Sequence, residues 1–262
     1  MTAQPEHPIL TLEGIVKVFG GLTALYKPDC SIPAGTIRSI IGPNGAGKTT
    51  LFNIITGVLP PTTGAVSFKG RRIERLKPHT IARQGISRTF QTVELFTNMT
   101  VLENVMLGRH PRSRCSMLAS GLRLPNSRKE EARIESKARD ILKFIGLAPK
   151  FDQPAGGLPL GEQKILEIGR ALATEPELIC LDEPAAGLNE TETHVASSLI
   201  RAIRERGITV LLVEHDMRVV MNISDEIMVL NHGQKIAEGP PEEIRDDPKV
   251  IEAYLGDEDR HA

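Results

Sequence analysis

The residues Gly42 to Thr50, GPNGAGKTT, have the types and spacing of a phosphate-binding loop. They follow the apolar run 37–41 and precede a stretch with helical spacing, so the loop joins a strand to a helix. Its glycines allow backbone N–H groups to approach phosphate oxygens, and the helix start adds a positive dipole end. Lys48 can reach the outer phosphates, and the Thr49 hydroxyl can ligate magnesium.

The pattern therefore predicts a nucleoside triphosphate site. The alternative is a glycine-rich turn that happens to contain a lysine, but every fixed position of the pattern is filled in the correct context. The candidate contacts are Gly42, Pro43, Asn44, Gly45, Ala46, Gly47, Lys48, Thr49 and Thr50.

Two acidic residues follow a fully apolar strand pattern at 178–181. Asp182 is the expected partner of Thr49 at a magnesium ion, and Glu183 could orient and deprotonate an attacking water. A helix cap or a surface ion pair is the alternative role for Glu183. His215 follows the next strand, where a side chain can meet the γ-phosphate, although a lone histidine is usually structural. Gln91 is an ordinary polar residue when taken by itself.

The composition limits the classes of partner and compartment. The 32 basic and 33 acidic residues nearly cancel, so no strong field attracts nucleic acid. The three cysteines lack metal-ligand spacing, and their odd number fits a reducing compartment. No apolar run approaches the roughly 20 residues that span a bilayer, and the polar start 1–8 does not resemble a secretory signal. We therefore expect a soluble, cytoplasmic protein.

The order of elements predicts an α/β fold. Apolar strands alternate with helices after residue 161, which indicates a parallel sheet covered by helices. The patterns at 9–19, 25–32 and 66–73 predict short antiparallel strands beside the nucleotide site.

A helical lobe is expected at about 93–172, inserted into this framework. Within it Thr100 and Glu103 have capping-box spacing, 111–126 is loop-like, and 127–145 has helical periodicity. The apolar face of that last helix contains Ile134, Ala138, Ile141, Leu142 and Ile145. The lobe is locally basic, which indicates a solvated face or, alternatively, contact with lipid headgroups; its arginines are Arg109, Arg112, Arg114, Arg123 and Arg128.

Taken in order, the motifs resemble those of ATP-binding-cassette (ABC) proteins over nearly the whole chain. The series is GPNGAGKTT, Gln91, LPLGEQ, LICLDEP, AGLN and His215. More narrowly, RTFQ, LFTNMTVLENV, DEPAAGLN, VEHDM and PEEIRDDPKVIEAYLG resemble the longer ATP-binding subunit of bacterial high-affinity branched-chain amino acid importers.

The resemblance implies a P-loop NTPase with a RecA-like parallel-sheet core, an antiparallel β subdomain and an inserted helical subdomain. The ATP-binding domain would span 9–262, with the core at 9–90 and 173–262. Glu183 would be the general base, His215 the γ-phosphate switch, and Asp182 the metal ligand. Gln91 would sense both magnesium and the membrane partner, and Phe19 would stack on adenine unless it only packs in the core.

The signature segment Leu158–Glu162 departs from the family's Leu-Ser-Gly-Gly-Gln pattern. In the family this segment meets the γ-phosphate held by the opposite subunit, which makes Leu160, Gly161 and Glu162 candidate nucleotide contacts. Asn189 lies where the family often has Asp, in the loop that, by the same resemblance, would cross to the partner subunit. Pro159 supplies neither a hydroxyl nor an N–H, so we expect a weakened contact. The alternative is that this proline simply suits the first turn of a helix.

The function implied is an ATPase that uses ATP and Mg²⁺ to power a membrane importer. Two cassettes, identical or paralogous, would close head to tail on ATP and drive permease subunits, with a solute-binding protein as an indirect partner. The chain would lie peripherally on the cytoplasmic face of the bacterial inner membrane. The segment 91–99, with Leu95, Phe96 and Met99, would receive a membrane-subunit helix, although core packing also explains these residues.

Other functions remain open at this point. A nucleic-acid-linked or ribosome-linked ABC protein usually has two cassettes or a long coiled-coil insertion, and a regulatory module without turnover is suggested only by Pro159. A GTPase is disfavoured because the guanine-reading Asn-Lys-x-Asp sequence is absent. The solute is not encoded here, so urea, short amides and aromatic acids stand beside branched-chain amino acids.

Overall fold

A computed structural model describes residues 8–89, 94–109 and 125–258. The candidate residue Gln91 lies outside the described residues, as do Cys115 and the arginines at positions 112, 114 and 123. The segment 111–126 was expected to be a loop; its first fourteen residues lie outside the described part, and its last two already belong to a helix.

The larger sheet places the chain's most apolar strands at its centre. In spatial order its described strands are β11 (Gln234–Gly239), β10 (Glu226–Asn231), β4 (Ile37–Ile41), β9 (Thr209–Val213), β8 (Leu178–Asp182) and β7 (Ile86–Arg88). All neighbouring pairs are parallel except β10 with β11. Strands β4, β8 and β9 are buried at every position, as expected for a parallel sheet that helices cover on both faces.

The smaller sheet is antiparallel and is built around β1 (Leu10–Phe19). Its other strands are β2 (Leu22–Tyr26), β3 (Cys30–Ile32), β5 (Thr63–Phe68) and β6 (Arg71–Arg72). The prediction of one continuous strand at 25–32 was wrong, because the chain turns between β2 and β3. There Lys27 has φ of +52°, and Pro28 follows it.

Helices cover the larger sheet and form the inserted lobe. They are α1 (Lys48–Ile55), α2 (Pro78–Gln84), α3 (Val101–Gly108), α4 (Pro125–Phe144), α5 (Leu160–Leu172), α6 (Glu190–Glu205), α7 (Met217–Ile223), α8 (Pro241–Arg245) and α9 (Pro248–Glu258). The capping box predicted at Thr100 and Glu103 is present. In the described part of the chain, no helix has the length and apolar character needed to cross a membrane.

Two apolar layers lie on opposite faces of the larger sheet, and alternation along β8 assigns residues to each. Ile179 and Leu181 face the layer that includes α5, α6 and the lobe. Leu178 and Cys180 face the layer that includes α1 and the smaller sheet. Cys180 therefore fills the core, and burial raises the pKa of its thiol to about 12. The carboxyl end of β8, where Asp182 lies and which Glu183 follows, is therefore held by packing on both faces of the sheet.

Within the lobe, α3 packs against α4 and α5, and a buried asparagine shapes the segment before α3. The Asn104 side chain accepts the Phe96 N–H at 3.0 Å and donates to the carbonyls of Phe96 and Thr100 at 3.1 and 3.0 Å. This clamp leaves the Phe96 side chain 53% exposed and that of Met99 36% exposed, whereas Leu95 packs against the core. Core packing therefore accounts for Leu95 but not for Phe96.

Candidate nucleotide site

The candidate site forms where three neighbouring parallel strands end. Strand β4 pairs with β9 through Ile40 and Val213, and β9 pairs with β8 through Val213 and Asp182. Parallel strands in register end at the same edge of their sheet, so the segments that follow them meet there. These segments are the loop 42–47, the acidic pair 182–183 and the pair 214–215.

Two glycines of the phosphate loop are required by their surroundings. A Cβ atom on Gly42 would lie 2.0 Å from the Leu230 carbonyl oxygen, and φ at this residue is +147°. A Cβ on Gly47 would lie 2.7 Å from Leu25, and φ there is +104°. The loop therefore seats tightly against the sheet and β2, while Gly45 faces open space. The loop backbone at Gly45 can therefore contact a ligand on the open side.

Lys48 places a cation at the centre of this edge. Its Nζ donates to the carbonyl oxygens of Gly42 at 2.6 Å and Pro43 at 2.9 Å. Burial lowers the pKa of Lys48, and the negative charges of Glu183 and Asp182 oppose that shift. The two carboxylates predicted from sequence therefore lie within electrostatic reach of the phosphate loop. Thr49, the first candidate metal ligand, is exposed beside it.

Asp182 is buried and ion-paired with a residue that the sequence did not indicate. Its Oδ2 atom is 2.7 Å from Arg88 Nη2, and the side chains of Asp182 and Arg88 are 2% and 9% exposed. Arg88 also donates to the side-chain oxygens of Asn53 at 2.6 Å and Thr56 at 3.2 Å on or beside α1. The guanidinium thus connects the metal-ligand candidate on β8 to the helix of the phosphate loop. Arg88 belongs to the motif RTFQ, and its place in that motif was the one feature of the sequence that could have marked it as a site residue.

Glu183 and His215 face one another at the same edge. His215 Nδ1 lies 3.9 Å from Glu183 Oε2 and 3.9 Å from Glu214 Oε2, and the imidazole is largely exposed. The buried Glu214 carboxylate accepts the N–H groups of Ala185 at 2.7 Å and His215 at 3.2 Å. Burial raises the pKa of Glu214, and these hydrogen bonds oppose the increase. Glu214 therefore fixes the backbone on both sides of the acid–histidine pair.

The signature segment lies at the N-terminus of α5. Pro159 is the N-cap, with φ of −57° and ψ of 154°, one residue before the first turn of the helix. The fixed φ of proline suits this position too, so a structural role at the helix start stands beside the expected weakened contact. Leu160 is exposed, and Glu162 makes an ion pair with Lys150 at 2.6 Å.

Two further candidates lie apart from the acidic pair. Asn189 is the N-cap of α6. Its side chain accepts a hydrogen bond from the Glu192 N–H at 3.0 Å, and the Glu192 carboxylate accepts one from the Asn189 N–H at 3.0 Å. A Cβ on Gly161 would lie 2.7 Å from Glu192 Oε1, so the signature segment packs against this cap. Phe19 ends β1 with 43% exposure and has the Lys17 ammonium 4.9 Å from its ring centroid.

The oxygen donors at this edge suit magnesium. Mg²⁺ commonly takes one or two carboxylates or hydroxyls from a protein and completes its octahedron with water and phosphate oxygens. Thr49 and Asp182 supply that kind of set, and among the described residues no group of three or more His, Cys, Asp or Glu side chains could by itself hold a metal ion. The donor set therefore fits a metal that arrives with a nucleotide rather than a preassembled metal centre.

The fold and this edge together define a P-loop NTPase. The family model described as "ABC transporter" matches residues 25–186, more than half of the chain. A second model, "Branched-chain amino acid ATP-binding cassette transporter", matches residues 234–260. The chain therefore belongs to the ABC transporter family as an ATP-binding cassette with ATPase character, and carries the C-terminal region of its branched-chain amino acid group.

Individual relatives agree with this membership. The "High-affinity branched-chain amino acid transport ATP-binding protein BraF" of Pseudomonas aeruginosa is 45% identical over 96% of this chain and 99% of its own length. The solved ADP conformation of an ATP-binding cassette of an ABC transporter is 41% identical, with a TM-score of 0.84 over 95% of this chain and 99% of that one.

A third comparison concerns a dimer. The structure of a post-hydrolysis state of an ATP-binding cassette bound to ADP and Pi is 26% identical, with a TM-score of 0.75 over 88% of this chain and 98% of that one. A cassette of this fold has thus been solved as a dimer that holds the products of hydrolysis.

We predict that Arg88→Met lowers the free energy of unfolding by about 3–5 kcal/mol, because it leaves the buried Asp182 carboxylate without its cationic partner. Chemical denaturation of the nucleotide-free chain measures this change. The double variant Arg88→Met with Asp182→Asn should recover part of the loss. Equal destabilisation in single and double variants would contradict the ion-pair explanation.

Proposed function

We propose that this chain is the ATP-hydrolysing subunit of a membrane importer for branched-chain or related amino acids. The single observation that carries the proposal is the 45% identity to a branched-chain amino acid transport ATP-binding protein over nearly the full length of both chains. The C-terminal match at 234–260 supports the same group. Urea, short amides and aromatic acids remain alternative solutes, because a cassette contributes no solute contact of its own.

The convergence of charges at the strand edge supports ATP hydrolysis by this chain. The loop 42–50 would hold the phosphates through its backbone N–H groups and Lys48. Glu183 would accept a proton from the attacking water, while His215, 3.9 Å away, would contact the γ-phosphate. Phe19 would stack on the base, since its ring is exposed at the end of β1.

Thr49 and Asp182 would hold Mg²⁺, with Gln91 as a third candidate ligand outside the described residues. When bound, the ion would neutralise charge that develops on the phosphate oxygens. Arg88 would then share Asp182 with the metal, since its guanidinium already binds the Oδ2 atom of that carboxylate at 2.7 Å.

The exposed start of α5 supports closure of two cassettes on ATP. Leu160 and Gly161 occupy the first helical positions, where backbone N–H groups have no partner within the helix. With Glu162 and Asn189 they would face the nucleotide held by the opposite subunit, whether that subunit is a second copy of this chain or a paralogue. Pro159 offers no donor, so the helix terminus would carry this contact alone.

The segment before α3 supports assembly with a permease. Phe96 and Met99 are exposed apolar side chains, held in place by the Asn104 clamp at the edge of the inserted lobe. A short helix of a transmembrane subunit would cover them, which would place the chain peripherally on the cytoplasmic face of the bacterial inner membrane. A solute-binding protein would be an indirect partner, and we expect no nucleic acid among the partners.

We predict that Glu183→Gln retains ATP binding but lowers turnover about 10²- to 10⁴-fold, because glutamine cannot accept the proton of the water. Steady-state phosphate release and equilibrium binding of ATP measure the two effects. Glu205→Gln, which changes an exposed acid at the end of α6, is the matched control. Turnover near the wild-type rate would remove Glu183 from its proposed role.

We predict that Phe96→Asp releases the chain from membranes that contain the permease subunits, while its affinity for ATP is unchanged. The reason is that a charge replaces an apolar side chain in the proposed contact. Co-sedimentation with permease-containing membranes measures it, and Ile251→Asp, at an exposed apolar residue of α9, is the control. If both variants sediment like the wild type, Phe96 is not part of the docking surface.

A further inference from the structure

Glu183 has a backbone conformation that its side chain disfavours. Its φ is +49°, in the left-handed region that residues with a Cβ atom seldom adopt. Such a conformation persists only where the surroundings hold it, and it is common at functional sites. Three hydrogen bonds hold the Glu183 backbone. Its N–H donates to the Val213 carbonyl at 2.9 Å, and its carbonyl accepts from the Ala186 N–H at 3.2 Å and, at 2.8 Å, from Lys164 Nζ, the one side-chain donor of the three.

Lys164 is unusual because it is buried and comes from the helix that begins with the signature segment. It lies in the first turns of α5, three residues after Gly161, and is 7% exposed. Lysine is rarely buried this far without compensating groups. Burial lowers the pKa of Lys164, and the negative charges of Glu214, Glu167 and Glu183 oppose that shift. Its ammonium therefore occupies a pocket of acidic residues behind the strand edge.

We propose that Lys164 is a positioning residue, which fixes the left-handed backbone of Glu183 and ties it to the signature helix. This inference rests on the proposed function, in which Glu183 accepts the proton of the attacking water. The helix that would meet the opposite subunit's nucleotide thus contacts the general base of its own subunit directly. Movement of α5 on closure would reach Glu183 through one hydrogen bond.

The competing explanation is that Lys164 only neutralises buried acids and stabilises the fold. The two explanations differ in what they predict for kinetics. A purely structural lysine affects folding and nucleotide binding, whereas a positioning residue lowers kcat without changing KM for ATP, and does so only when Glu183 can act as a base.

The experiment compares full-length chains carrying Lys164→Met, Lys164→Arg and the exposed control Lys143→Met, each with and without Glu183→Gln. We expect Lys164→Met to lower kcat about 10- to 100-fold through misplacement of the carboxylate, with KM for ATP unchanged. Lys164→Arg retains a donor and should recover most of the rate. In the Glu183→Gln background, Lys164→Met should cause no further loss.

Thermal unfolding shows whether each variant is folded, and Lys164→Gln, whose amide is too short to reach the Glu183 carbonyl, replaces Lys164→Met if that variant unfolds. A folded variant with kcat within twofold of wild type would overturn the proposal. So would a loss that persists undiminished in the Glu183→Gln background. If Glu183→Gln alone turns over normally, the base assignment fails instead, and the two failures are thereby distinguished.

Discussion

The parallel pairing of β4, β9 and β8 is the constraint on which the rest of the structure depends. Because these strands are in register, the phosphate loop, the acidic pair and His215 emerge at one edge without any long side chain reaching across the sheet. Burial at every position of the three strands makes the pairing rigid. The other features either support that edge from behind or connect it to surfaces where partners would bind.

The residues that support this edge from behind are polar and buried. Burying a charge is unfavourable unless another group compensates it. Arg88 compensates Asp182, Glu214 accepts backbone N–H groups on both sides of the acid–histidine pair, and Lys164 donates to the Glu183 carbonyl. These residues come from β7, the end of β9 and α5, so they connect the central strands to the inserted lobe. In the proposed function, such ties would transmit movement of the lobe to this edge when the cassette changes shape on ATP binding.

Much of this edge could be predicted from sequence, and the remainder could not, for identifiable reasons. Gly42–Thr50, Asp182, Glu183 and His215 each follow an apolar strand pattern, so local sequence indicates their place. Arg88, Lys164 and Glu214 act through neighbours distant in sequence, and their role depends on strand order and helix packing. The break between β2 and β3 was missed because the flanking residues on both sides are apolar, although Pro28 marks the turn.

The most direct test of the account is a crystal structure of the Glu183→Gln chain with Mg²⁺ and ATP. We predict a head-to-tail dimer with the phosphates in the loop 42–50, magnesium on Thr49 and Asp182, and the start of α5 facing the opposite subunit's γ-phosphate. Phosphates bound away from the shared edge of β4, β8 and β9, or a dimer whose α5 termini face away from the nucleotide, would contradict it.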